Sequence, residues 1–425
     1  MRRMFPLLLM VIALGVVPFP VVLAAEQGGA YATGRYRNLF VEAGHSAADV
    51  RAKVDGAFEQ LFHGDPQSEA VYFAVGENAN GPLAQIRDIG SEDVRSEGMS
   101  YGMMIAVQLD KQAEFDALWN WAKSFMHHAD AKSPSYGYFS WSLKIDGTPN
   151  DEMPAPDGEE YFATALYFAA NRWGSRDGIY NYRAEADELL KHIRHRQRIT
   201  GATVKGEMTA GNLFHPELKI VRFTPDVANW DHTDPSYHLP AFYELWALWG
   251  PQEDRQYWRG AAAASREFFQ RAAHPETALT PEYANFDGTP WLAPWNPRSA
   301  DFHADAWRTA MNWSVDWAWW ERDQRERELS DRLQAFFASQ GVDRYVNFYS
   351  VDGKPLGQDR STGHTAMNAV ASLAATHPQS HDFVDALWNA QIPSGRWRYY
   401  DGMLYLMALL HCGGEFQIWR PDENP

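Results

Sequence analysis

DVRSEGMSYGMMIAVQL, residues 93–109, is the stretch whose reading settles the fold. After Glu97, the twelve positions from Gly98 to Leu109 hold three Met, two Gly and the run Ile105-Ala106-Val107, and Tyr101 carries the only ionisable side chain. A helix that is apolar on every face is enclosed by other elements, and a carboxylate at its mouth then sits where water is scarce. Burial of this kind favours the neutral form of Glu97, the form a proton donor needs near neutral pH. Taken alone, Glu97 equally fits a carboxylate that only complements the positive end of a helix. Recurrence along the chain decides between the two.

Outward from this stretch, helical periodicity comes in two alternating kinds. One kind is charged and striped: residues 46–62, with Val50, Val54, Phe58, Leu61 and Phe62 in line, then 114–125, 183–194, 253–269, 324–337 and 381–388. The other is nearly free of charge beyond its first turn: 98–109, 161–171, 239–249, 310–320, 365–375 and 403–410. Striped helices belong in an outer layer and all-apolar helices in an inner one. Six of each predict an all-α fold, an (α/α)6 barrel of six helical hairpins closed into a double ring. An open solenoid would have regular connections, whereas the loops here are long and unequal. Residues 132–156, 199–234 and 277–302 are the longest, hold Gly, Pro and aromatics, and each leads into an inner helix, with short strands expected inside them. Composition does not shift along residues 26–425, so a single domain is expected there.

The composition narrows the function. A hydrophobic content of 45% is ample for a core, and 18 Trp with 19 Tyr exceed what packing between helices usually needs. Amphipathic rings of that kind suit stacking on sugar faces. A net charge of −17 argues against nucleic acid as a partner. Met1 to Ala25, with Arg2-Arg3, the apolar run 5–23 and the ending Val22-Leu23-Ala24-Ala25, reads as a signal peptide, so export to the periplasm or beyond is expected, with no membrane attachment after cleavage. Pro18 and Pro20 interrupt the run and disfavour an uncleaved anchor. The single cysteine, Cys412, rules out an internal disulfide. Adjacent His127 and His128, and the segment Asp231-His232-Thr233-Asp234, lack ligand spacing, so no metal and no cofactor is expected. A monomer is the expected state.

The inner helices open with similar material: Ser96-Glu97, Asp157-Gly158-Glu159-Glu160, Asp234-Pro235-Ser236-Tyr237-His238, His303-Ala304-Asp305-Ala306-Trp307-Arg308, Gly363-His364 and Tyr399-Tyr400-Asp401-Gly402. If alternate helices run the same way in a ring, these openings line one cleft. Asp157 with Glu160 has the spacing of a capping box, and Asp305 with Arg308 that of a surface pair. Capping does not explain why Glu97 and Asp305 each stand near an Arg, Arg95 and Arg308, and open otherwise apolar helices. Two carboxylates facing each other across an aromatic cleft, one neutral and one ionised, are the machinery of glycosidic hydrolysis. Glu97 suits the acid and Asp305 the base.

These openings, with Asp93 to Met103, Ala155 to Phe162, Asp234 to Pro240, His303 to Arg308 and Tyr400-Asp401-Gly402, resemble glycoside hydrolase family 8, in its xylan-acting branch. The resemblance implies an inverting enzyme on an (α/α)6 barrel, with Glu97 as general acid and Asp305 as general base. It further implies that Asp157 holds the sugar at the cleavage position, that Tyr237 and Tyr400 lie near substrate and attacking water, and that Arg308 orients the base. Tyr101 and Trp141 complete the residues expected at the substrate. Family members that release xylose from reducing ends carry a His-Pro-containing insertion blocking the cleft; Asp359 to Asn368 is too short for it here, although His364 offers a partial block. Internal cutting of β-1,4-xylan is therefore expected, with a reducing-end exo-oligoxylanase as the alternative. A β-1,4-glucanase, a chitosanase or an inert sugar-binding barrel rank below these, and crowding by Tyr138, Phe139 or Trp141 is expected to favour xylose over glucose.

Overall fold

The computed structural model describes residues 28–421; the apolar leader at residues 1–25 lies outside them. Twelve helices form the ring, α1 (Ala47–Phe58), α2 (Ser96–Gln108), α3 (Gln112–Trp121), α4 (Pro156–Trp173), α5 (Tyr182–His195), α6 (Pro240–Trp249), α7 (Arg255–Ala272), α8 (Trp307–Trp320), α9 (Arg325–Gln340), α10 (Thr362–Val370), α11 (Ser380–Asn389) and α12 (Arg398–Cys412). Even-numbered helices form the inner layer. Each packs against the next, and α12 returns to α2, which closes the (α/α)6 barrel. Every residue from Gly98 to Gln108 is buried, as an inner position demands, whereas α1 buries only Val50, Val54, Ala57 and Phe58. The closing seam is tied by Arg398, whose guanidinium donates to the carbonyls of Ala70 at 2.8 Å and Pro66 at 2.9 Å.

Helix boundaries differ from the periodic pattern where local chemistry overrides it. α4 starts at Pro156, five residues before the apolar run, because proline is well placed in a first turn, where its missing N–H has no intrahelical partner to lose. α1 and α3 both end in a wider π turn, Glu59–His63 and Ala122–Met126, and α10 passes at Val370 into a 3-10 turn, Ala371–Leu373.

Two hairpins fall in the expected loops: β4 (Ser142–Lys144) with β5 (Pro149–Asp151), and β6 (Ile199–Thr203) with β7 (Gly206–Ala210). The sequence reading missed two further pieces, the hairpin β1 (Tyr72–Asn78) with β2 (Gly81–Ile86), and the strand β3 (Asp93–Arg95). β3 pairs with β4 and runs straight into α2, so the first turn of that helix is anchored to a sheet. The Ser96 N–H then donates to the Trp141 carbonyl at 3.0 Å. Two close approaches fix the mouth of the ring. A β-carbon at Gly158 would stand 2.5 Å from Ser96 Oγ, and one at Gly98 would stand 2.6 Å from the Tyr399 ring, so α2 meets α4 and α12 at glycine.

Candidate active site

Side chains from the openings of α2, α4, α8 and α12, and from the turn before α6, meet around Arg308. This guanidinium is 2% exposed. Its Nη1 donates to Glu97 Oε2 at 2.9 Å, Asp157 Oδ2 at 2.7 Å and the Tyr101 hydroxyl at 2.6 Å. Its Nη2 reaches Asp305 Oδ1 and Ser236 Oγ, both at 3.1 Å. The rings of Tyr237 and Tyr400 flank it at 5.9 and 6.0 Å. Three carboxylates from α2, α4 and the approach to α8 thus share one cation. The sequence assigned Arg308 to Asp305 alone, because only that pair is local.

Glu97 sits in the first turn of α2 with its side chain 14% exposed. The Tyr399 hydroxyl donates to its other oxygen, Oε1, at 2.8 Å. Burial pushes the Glu97 pKa up to about 7; Arg308 pulls against this, while the charges of Asp157 and Asp305 add to it. Arg95, its sequence neighbour, turns away to Asp88 at 3.0 Å and Asp93 at 3.1 Å. Asp305 is the open partner, with a side chain 33% exposed. It lies in the 3-10 turn Ala304–Ala306, and Ala304 adopts φ +30°, a strained angle for a residue with a β-carbon. The Tyr400 hydroxyl donates to the Ala304 carbonyl at 3.1 Å and so braces that turn.

The capping box does not form. α4 is preceded by Ala155 without a side-chain cap, Asp157 Oδ1 accepts from the Gly158 N–H at 2.8 Å, and Glu160 instead accepts the Tyr243 hydroxyl at 2.7 Å. Asp157 faces the cation, and burial raises its pKa while Arg308 lowers it. Asp234 caps the turn before α6 by accepting from the Ser236 N–H at 2.7 Å. Its Oδ2 has no hydrogen-bond partner among the described residues, and burial followed by the Asp305 charge pushes its pKa well up.

Other expected residues fall differently. Tyr101 is 1% exposed and lies beneath Arg308, supporting the guanidinium from within the core. Trp141 stands half-buried at the mouth, its ring 5.8 Å from the Arg95 guanidinium. Tyr138 and Phe139 are fully buried, and the Tyr138 hydroxyl is spent on the carbonyls of His192 and Gly211, so neither crowds a sugar. His364 is buried too, stacked on Trp307 at 5.3 Å, and does not obstruct the cleft. Two residues absent from the sequence-derived set, Tyr399 and Ser236, touch Glu97 and Arg308. Both stand in the opening motifs, but only helix rotation shows that Tyr399 rather than Tyr400 meets Glu97.

A nearly buried carboxyl held toward its neutral form and an open, ion-paired carboxylate around one guanidinium, at the mouth of a closed helical ring, define a carboxylate-based hydrolase. The profile of glycosyl hydrolases family 8 matches residues 79–414, and the chain belongs to that family; it is a glycoside hydrolase. A solved family 8 structure from Teredinibacter turnerae, in complex with xylobiose, is 60% identical, with a TM-score of 0.91 over 92% of this chain and 100% of that one. The xylohexaose complex of a catalytic mutant xylanase from the same organism matches equally, at 60% identity, TM-score 0.91 and the same 92% and 100% coverage. The reducing-end xylose-releasing exo-oligoxylanase Rex8A of Paenibacillus barcinonensis is 41% identical over 92% of this chain and 98% of its own length.

Proposed function

We propose that this chain is an exported, inverting glycoside hydrolase that cuts β-1,4-xylosidic bonds inside xylan and xylo-oligosaccharides. The observation that carries it is the shared guanidinium: Glu97 and Asp305 hang on different nitrogens of Arg308, one nearly buried and one open. Glu97, neutral, gives its proton to the glycosidic oxygen as the bond from that oxygen to the anomeric carbon breaks. Asp305 takes a proton from water attacking the opposite face of that carbon, and the product leaves with inverted configuration. Inversion requires the two carboxyls to stand ~6.5–9.5 Å apart, leaving room for that water. Asp157, fixed by Arg308 and by its own backbone, offers its carboxylate to hydroxyls of the sugar being cleaved. Tyr237 and Tyr400 wall the space occupied by water and substrate. Export rests on the leader at residues 1–25, and a monomer acting in the periplasm or outside the cell completes the reading.

Xylan as substrate is supported by the xylobiose and xylohexaose bound to the 60%-identical relatives. Internal cutting is supported by the shortness of the segment 359–368 and by the burial of His364, which keeps that ring out of the cleft. A second reading, release of xylose from reducing ends, is favoured by the activity named for the Paenibacillus relative and by two further relatives of the same name at 42% and 38% identity. Time-resolved product sizes from xylan and xylohexaose, with cellulose and chitosan as controls, separate the two. A ladder of intermediate products is expected, and xylose as the sole early product would replace the first reading with the second. Proton NMR of freshly released sugar is expected to show inverted anomers; retention would remove the acid and base roles.

A further inference from the structure

From Tyr237 at the reacting centre a row of aromatic rings leads away through the segment between α5 and α6 to the loop between α7 and α8, and the rings beyond Tyr237 have no part in the hydrolysis described above. At the centre, the Tyr237 ring lies parallel to that of Phe223 at 5.9 Å, and Phe223 packs on His232 at 4.9 Å and Tyr283 at 4.4 Å. His232 stacks on Trp291 at 3.7 Å, and Trp291 meets the edge of Trp295 at 5.4 Å. Tyr237 at the inner end is 6% exposed, His232 midway is buried, Trp291 is half-buried, and Trp295 at the outer end is 50% exposed. Leu292, beside the end of the row, is 63% exposed. The row therefore runs from the reacting centre outward into solvent.

Its outer end is held in place. Ser299 Oγ donates to the Trp291 carbonyl at 2.9 Å and accepts from the Ala293 N–H at 2.8 Å. Asn296 donates to Glu282 Oε2 at 3.0 Å, and the other oxygen of Glu282 faces His303 Nδ1 at 3.4 Å, two residues before Asp305. One set of hydrogen bonds thus couples the crest of this loop to the turn that carries Asp305. A single exposed indole is ordinary, but Trp295 and Leu292 lie together at the end of a continuous ring row, and contiguous apolar surface of that kind marks a binding site. Here the row is continuous with the centre, and a polymeric substrate must leave that centre along some path. Sugar rings present apolar C–H faces that pack on an indole, whereas their hydroxyls stay hydrated at its edge.

We propose that Trp295, backed by Trp291, is a distal sugar-binding subsite, engaged by xylan chains that extend beyond the sugars flanking the scissile bond. The inference rests on the xylan reading above. It makes this loop a determinant of chain-length preference. The test compares kcat/KM on xylotriose and xylohexaose for the wild type, Trp295→Ala and Trp295→Phe. The ratio of hexaose to triose is expected to fall about tenfold in Trp295→Ala, and to stay within about threefold of the wild type in Trp295→Phe, which keeps an aromatic face. A ratio in Trp295→Ala within about twofold of the wild type, from enzyme with unchanged circular dichroism, overturns the subsite while leaving the xylan reading intact. A wild type that cleaves neither oligosaccharide overturns the xylan reading, and the subsite for xylose units goes with it.

Discussion

Arg308 sets the electrostatics of the mouth, because Glu97, Asp157 and Asp305 all lean on its single charge. With all three ionised the cluster is net negative in a poorly hydrated place, so one proton is retained, and Glu97, with its pKa pushed up to about 7, retains it. Glu97→Gln and Asp305→Asn are each expected to lower turnover by ~10²–10⁴-fold, measured on xylohexaose, while sugar binding survives. The same Glu97 substitution carries a stability signature. The folded chain keeps this proton up to about 7, whereas the unfolded chain releases it near the ordinary 4.5, so raising the pH through that window favours unfolding. Glutamine has no proton to lose. The melting temperature of Glu97→Gln relative to the wild type should therefore climb across that window and level off above it; a difference independent of pH would show that Glu97 is not held neutral.

Among the helices, the contact that positions the acid is the one between the openings of α2 and α4. Gly158 is the point of approach, with Ser96 Oγ where a β-carbon would go. Gly158→Ala is expected to cost about 1–3 kcal/mol as the two helices are forced apart. Because Asp157 precedes that glycine and Glu97 follows that serine, the spacing of their carboxyls changes with it. Thermal melts and kcat/KM should both fall in this variant, and retention of either at wild-type levels would show that the openings yield without moving the carboxyls. The anchoring of α2 by β3, and the brace from Tyr400 to the strained Ala304, act in the same sense. Each fixes the backbone immediately next to a reacting side chain.

The closed ring makes the twelve helices interdependent, since every inner helix has two inner neighbours and α12 lies against both α1 and α2. Arg266 on α7 reinforces this by bonding Asp316 of α8 at 2.6 Å and Glu244 of α6 at 2.8 Å. Cys412 at the end of α12 is fully buried, and burial pushes its thiol pKa up. Cooperative closure then predicts that a thiol reagent modifies Cys412 only at the rate of global unfolding. Labelling rates that rise with denaturant in step with the loss of circular dichroism are expected; fast labelling of the native enzyme would mean that α12 opens on its own. A reductant should leave the melting temperature unchanged, because one cysteine makes no internal bridge.

The layers and the ring were legible because hydrophobic periodicity is local: an all-apolar run such as 98–109 is an inner helix whatever surrounds it. The opening motifs were legible too, and they placed Glu97, Asp157, Asp305 and Arg308 at one mouth. Strand β3 was hidden inside the helix signal, and the burial of Tyr101, Tyr138, Phe139 and His364 could not be told from exposure at the cleft, since an aromatic ring serves either place. Which groups actually touch was decided by tertiary structure alone. Arg308 reaches Glu97 across 211 positions and Tyr399 reaches it across 302, and these contacts depend on how far each helix is rotated about its axis. That rotation is fixed by glycine contacts and ring closure between distant segments, so the sequence named the chemical groups and the packed ring chose their partners.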